Sequence, residues 1–202
     1  MNDSDPAFTP EGTLGPFYPG IFAMAGIPHS LSEVAPILAH RPAGQPIRVF
    51  GRFIDANGVG VPSLIIEIWQ ANAFGRYRHP LDQSERRLDP QFDGFARIRT
   101  SDDGSYSFST IKPGAHEVND NSAVMRAPHL RLTIFASGID RLFTQVFFDD
   151  EALNSTDPVL NCIEDAGVRQ RLIARRVSEG EYALDIVMRG NAETPFFDDW
   201  VR

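Results

Sequence analysis

A chain of 202 residues, 42% apolar and 23% charged, can bury about 70% of the surface that its extended form would expose. It needs no disulfides to fold, and the net charge of −8 argues against a large basic surface for nucleic acid or anionic lipid. Fifteen phenylalanines, against four tyrosines and two tryptophans, point to a real core rather than a disordered chain.

The first 46 residues carry Pro6, Pro10, Gly12, Gly15, Pro16, Pro19, Gly20, Gly26, Pro28, Pro42, Gly44 and Pro46, which forbid long regular structure. Residues 1–46 are therefore expected to form an arm with one short helix over Ser30–Ala39, and residues 47–202 the folded domain. No leader-like basic and apolar segments open the chain, and no apolar run reaches the roughly 18 residues of a membrane span. The expectation is a cytoplasmic protein without membrane contact.

From residue 47 the apolar pattern changes to period two. Ile47–Ile54 reads as a strand, followed by Asp55-Ala56-Asn57-Gly58, a tight-turn signal. Leu64–Gln70 is apolar at nearly every position and reads as a central strand. Phe95–Thr100 and Tyr106–Thr110 flank the turn Ser101-Asp102-Asp103-Gly104, and further strands are predicted at His129–Ala136, Leu142–Phe148 and Tyr182–Arg189. One helix is predicted over Ala166–Arg176, capped by Asp165, with Arg175 and Arg176 at its negative pole. The pattern as a whole predicts a mainly β protein. It is an antiparallel β-sandwich with a Pro/Gly-rich N-terminal arm, long inserted loops and one or two short helices.

The lone Cys162 excludes an internal disulfide and every multi-cysteine zinc site, and its neighbours Leu160, Asn161 and Ile163 predict a packed thiol. Phosphate-cradling glycine loops, a nucleophile elbow and a His-Glu-x-x-His motif are all missing. What remains is histidine and tyrosine: His29, His40, His79, His116 and His129, with Tyr77 just after the apolar strand. Period two puts His129 and Arg131 on one strand face, opposite Leu130, Leu132 and Ile134. Two histidines so spaced would make half a metal site. A guanidinium donates and cannot ligate.

Thr13-Leu14-Gly15-Pro16-Phe17-Tyr18, Glu67-Ile68-Trp69-Gln70-Ala71-Asn72 with Gly75-Arg76-Tyr77, and Thr110-Ile111-Lys112-Pro113-Gly114 occur in that order. Ala127-Pro128-His129-Leu130 and Gln145-Val146-Phe147-Phe148 follow. Together these segments resemble the intradiol ring-cleaving dioxygenases over Thr13–Trp200. The resemblance implies that ferric iron is held by two tyrosines and two histidines in iron-bearing chains. Tyr77 matches the first tyrosine and His129 the first histidine; His116 stands at the second tyrosine and Arg131 at the second histidine.

This departure resembles the iron-free, α-type chains of hetero-oligomeric members, as do Pro158-Val159-Leu160-Asn161 and Glu193-Thr194-Pro195-Phe196-Phe197-Asp198. The implied partner is an iron-bearing, β-type chain, assembled with this one into a higher αβ oligomer that uses O2 to open a dihydroxylated aromatic acid. By the same resemblance Thr13, Gly15, Pro16 and Phe17 would wall the partner's substrate pocket. An arginine expected near Ser137 is absent. No metal is expected at the vestigial positions Tyr77, His116, His129 and Arg131, and the Arg131 nitrogens are predicted to fill the iron position near Tyr77 or Glu117. Two alternatives stay open: a self-sufficient dioxygenase with a Tyr77/His116/His129 metal site, and a non-catalytic β-sandwich binding module.

Overall fold

The computed structural model describes residues 42–119, 122–136 and 141–197. Eleven strands are found there: β1 Pro46–Ile54, β2 Ile65–Trp69, β3 Phe95–Arg99, β4 Ser105–Ile111, β5 His116–Glu117, β6 Met125–Arg126, β7 His129–Phe135, β8 Leu142–Phe148, β9 Ile173–Ser178, β10 Glu181–Ala183 and β11 Ile186–Val187. Two short helices, α1 Pro158–Asn161 and α2 Ala166–Gln170, lie between β8 and β9. The architecture is mainly β, as the alternating sequence pattern predicts. Residues 1–41 of the expected arm, with the Ser30–Ala39 helix, Thr13, Gly15, Pro16, Phe17, His29 and His40, and Ser137 lie outside the described residues.

One layer runs β3-β2-β7-β8, all antiparallel, and the other contains β4-β1-β10-β9; β8 and β9 join them. Inward side chains of both layers meet in one core. Val49, Phe53, Phe108 and Tyr182 come from one side, and Ile66, Ile68, Leu130, Leu132, Ile134 and Phe148 from the other. At about 1.5–3 kcal/mol for each fully buried large aliphatic or aromatic side chain, this burial is the main force holding the layers together.

Four features depart from the sequence reading. The sandwich is not wholly antiparallel, because β1 runs parallel to β10 and β11, and β8 parallel to β9. The helix stops at Gln170, with Asp165 accepting from the Gly167 and Val168 amides as predicted, but Arg175 and Arg176 belong to a strand. Leu172 is fully buried and its carbonyl accepts from the Phe147 amide at 2.8 Å, so pairing beside β8 overrides helix propensity. The strand expected at Tyr182–Arg189 is broken between β10 and β11, where the Asp185 carboxylate takes the Arg52 amide at 2.8 Å in place of a ladder bond. Cys162 is exposed rather than packed, on the solvent side of α1, with its thiol 3.0 Å from the Val159 carbonyl.

Lys112, the only lysine in the chain, closes the sandwich at the end of β4. Its ammonium lies 2.8 Å from Asp150 and 2.6 Å from Glu151, and the Tyr182 hydroxyl donates to Asp150 at 2.9 Å. Burial disfavours the charged lysine, but these two carboxylates outweigh it and hold the ammonium on. Lys112→Met leaves the two carboxylates facing each other, and is expected to lower the unfolding free energy in urea by about 2 kcal/mol. Arg176→Met, at an exposed neighbour 3.9 Å from Asp150, should change it by less than about 0.5 kcal/mol. Equal, small effects in both variants would show that the cluster is no more than screened surface charge.

Candidate functional site

Two buried amides position the site. Gln70, at the end of β2, donates to the Ile111 carbonyl at 2.8 Å and accepts from the Thr110 hydroxyl at 2.7 Å, which locks the end of β2 to the end of β4. Two residues on, the Asn72 side-chain oxygen accepts from the Phe74 and Arg76 amides, and its nitrogen donates to the Arg87 carbonyl. The Asn72 carbonyl takes the amides of Gly75 and Gly114 at 3.0 and 2.9 Å. The loop after β2 and the loop after β4 are thereby held against each other.

Contact between these loops is close enough to require glycine at two places. A Cβ on Gly75, whose φ is +78°, would lie 2.1 Å from the Ala115 carbonyl oxygen; one on Gly114 would lie 2.5 Å from that of Ala73. Tyr77 follows the first glycine and His116 the second. Their rings meet at 5.4 Å between centroids, and His116 stands 5.4 Å from His129 at the start of β7. Trp69 stacks on Tyr77 at 5.7 Å and Phe147 lies 5.5 Å beyond His129, so five rings form a continuous row. Three of the four positions singled out in the sequence are thus assembled in contact.

The fourth, Arg131, stands across the sheet. It pairs with Trp69 on one side and Gln145 on the other, and lines the same cavity as Tyr77, His116 and Glu117. The cavity has a volume of about 580 Å³. Arg131 is not bonded to Tyr77 or Glu117. Glu117 is held by Arg86 instead, at 2.7 Å, and among the described residues Arg131 has no carboxylate within ion-pair distance. A third cation, Arg126, is tied to the fully buried Asp157 at 2.9 Å and to Gln145. Sequence reasoning missed Arg86 and Arg126, because their carboxylate partners are 31 residues away and only the fold brings them together.

Electrostatics here disfavour charge on every ring. Burial pushes the Tyr77 phenol up to about 12, outweighing the nearby positive charges of Arg131 and Arg126 that favour the phenolate. Burial also lowers His116, and holds His129 well below the usual 6.5. Nδ1 of His116 lies 2.8 Å from the Glu117 carbonyl and that of His129 2.8 Å from the Ala127 carbonyl. Each neutral ring therefore donates from Nδ1 and keeps a lone pair on Nε2.

Ferric iron, the group implied by the family resemblance, wants hard, anionic oxygen donors. The site offers a neutral phenol, two imidazoles and a guanidinium. That set does not fit a ferric ion, because the phenol and both imidazoles are held neutral by burial and the guanidinium is a permanent cation that cannot ligate. Among the described residues, no three His, Cys, Asp or Glu side chains gather as a metal-binding group, and no helix is long and apolar enough to cross a membrane.

Because His116 and His129 bind protons more weakly folded than unfolded, the unfolded chain takes up more protons below about pH 6.5. Stability should be complete above that pH. On acidification it should fall, by at most about 1.4 kcal/mol per pH unit for each ring. Urea titrations between pH 7.5 and 5 should show this slope, and His129→Phe should reduce it. A slope unchanged in that variant would mean that His129 is not buried in its neutral form.

A protein-family model described as "Dioxygenase" matches residues 21–190. The protocatechuate 3,4-dioxygenase alpha chain of Pseudomonas putida is 39% identical, covering 94% of this chain and 96% of its own length. The corresponding beta chain of Burkholderia cepacia is 38% identical over 83% of this chain and 74% of its own length. An intradiol ring-cleavage dioxygenase from Tetranychus urticae superimposes with a TM-score of 0.58 at 19% identity, covering 78% of this chain and 89% of that one, a likeness of fold.

Proposed function

From the premise that the chain belongs to the intradiol ring-cleaving dioxygenase family, we propose that it is the α, iron-free subunit of a protocatechuate 3,4-dioxygenase. The observation that carries this reading is Arg131. An unpaired cation close to Tyr77 and His129, in the lining of the same cavity as His116, cannot serve an iron-bearing chain, but it is tolerated in a chain whose metal is held elsewhere. Near-complete coverage of a protocatechuate 3,4-dioxygenase alpha chain supports the same assignment. Family membership also favours an enzyme complex over a free-standing binding module.

On this reading Fe(III) belongs to the β subunit. With O2, the complex opens the ring of protocatechuate (3,4-dihydroxybenzoate) between its two hydroxylated carbons to give 3-carboxy-cis,cis-muconate, both oxygen atoms ending in the product. This chain holds the partner and lends it a wall. Thr13, Gly15, Pro16 and Phe17 are the residues assigned to that wall, where a stiff Gly-Pro backbone would present Phe17 to the substrate and exclude water. The assembly is a hetero-oligomer of αβ units.

Co-expression with the β chain should give an active enzyme that the α chain alone does not provide. Within that complex, Phe17→Ala is expected to lower kcat/KM by about 10-fold or more, the scale of losing one well-packed aromatic contact. Iron content should be unchanged. Kinetics indistinguishable from the parent in both Phe17→Ala and Pro16→Ala would remove the shared wall from the account, and turnover by the isolated chain would overturn the assignment.

A further inference from the structure

Three strands end the sheet path among the described residues: β3, β11 and β4, which pairs only with β1. Free edges invite another strand, and folds usually guard them with charge, proline, a bulge or short length. β3 carries Arg97 and Arg99, and β11 is two residues long. β4, Ser105-Tyr106-Ser107-Phe108-Ser109-Thr110-Ile111, has none of these guards over its seven residues. Its register with β1 runs without a shift from Pro46 against Ile111 to Arg52 against Ser105.

In an antiparallel ladder every second residue bonds to its partner, and the next turns its N–H and C=O away. The Phe53 amide donates to the Gly104 carbonyl at 2.9 Å and the Lys112 amide to that of Gln45 at 2.8 Å, which fixes the alternation. Tyr106, Phe108 and Thr110 therefore bond to β1, while Ser105, Ser107, Ser109 and Ile111 face outward. At the ends local groups step in. The Ser105 amide donates to Asp103, its carbonyl accepts from the Ser101 amide, and the Ile111 carbonyl accepts from Gln70. Between them the exposed Ser107 and Ser109 each turn out an amide and a carbonyl that have no partner among the described residues.

We propose that this edge pairs with the same edge of a second copy, antiparallel, about a two-fold axis at Phe108. Ser107 of each copy then lies opposite Ser109 of the other, and each such pair exchanges two hydrogen bonds. Donors and acceptors match in number, so every outward group of the two serines is used. Charge also permits a like partner in a chain of net charge −8. β4 itself is uncharged, and Arg48 and Arg52 on β1 stand three strand spacings, about 14 Å, from their counterparts, beyond a Debye length of about 8–10 Å. Such a junction is small beside the roughly 1,200–2,000 Å² of a stable interface, so the dimer is reversible.

The proposal uses β4 alone and stands apart from the α-chain assignment. Sedimentation of the full chain over a roughly 100-fold range of concentration should show growth from the monomer mass toward twice that mass. Ser107→Pro with Ser109→Pro removes the outward amides and no ladder bond to β1. Ser107→Lys with Ser109→Lys sets like charges opposite each other across the axis. Both double variants should stay monomeric, with urea unfolding confirming that each is folded. Ser107→Glu with Ser109→Glu should also be monomeric alone, and mixing it with the lysine variant should restore the dimer. A parent that is monomeric at every concentration overturns the proposal and leaves the edge to a strand of another protein. A dimer that persists in the variants, or a mixture that stays monomeric, overturns it as well. If the chain purifies only with its partner, the same series reads the association of αβ units, which the lysine variant should reduce in mass while turnover continues. An unchanged mass refutes the pairing, and a complex without turnover bears on the α-chain assignment instead.

Discussion

Gln70 and Asn72 carry the constraint on which the site depends. Both side chains are buried, and both spend their hydrogen bonds on backbone or hydroxyl groups of the neighbouring loops rather than on any ligand. A buried amide that lost these partners would be expensive, so the end of β2 and the loops carrying Tyr77 and His116 form one rigid unit. The motif that joins this chain to its family is therefore scaffolding. It keeps the ring row of Trp69, Tyr77, His116 and His129 intact in a chain whose donor set no longer suits ferric iron.

Retaining the geometry while replacing the donors has an electrostatic consequence. Arg86, Arg126 and Arg131 converge on the rings, and their charges help to lower the histidines that burial already holds neutral. Arg86 and Arg126 are answered by Glu117 and Asp157. Arg131 stands against the cavity, where iron-bearing relatives are expected to place a histidine. Exchanging a ligand for a cation turns a site that attracts a metal into one that repels it and favours an anion.

Much of this was legible in the sequence. Apart from the two-residue strands β5 and β6, which the sequence reading missed, the strands from Pro46 to Phe148 are found within a residue or so, by period two or, for β2, by a continuous apolar run, because their apolar side chains enter a shared core. Past Gln170 the reading failed. Ile173-Ala174-Arg175-Arg176 has helical spacing, and only the pairing of β9 with β8 and β10 makes it a strand. The vestigial positions could be read one by one, since each lies in a short motif. The cationic surroundings could not, because the Arg86–Glu117 and Arg126–Asp157 pairs each join residues 31 apart. Cys162 misled because apolar neighbours in sequence are a poor guide on a four-residue helix, where one side is always wet.

The central claim is that two substitutions, and not a different fold, separate this chain from an iron-binding one. The direct measurement is iron content with the visible spectrum, made on the purified parent chain and on the double variant His116→Tyr with Arg131→His, both loaded with ferric iron under the same conditions. The account predicts a colourless, iron-free parent, and a variant that takes up about one iron per chain and shows the tyrosinate-to-iron colour expected of two phenolate ligands. Stoichiometric iron and colour in the parent would contradict it, and would mean that Tyr77, His116 and His129 form a working metal site despite Arg131.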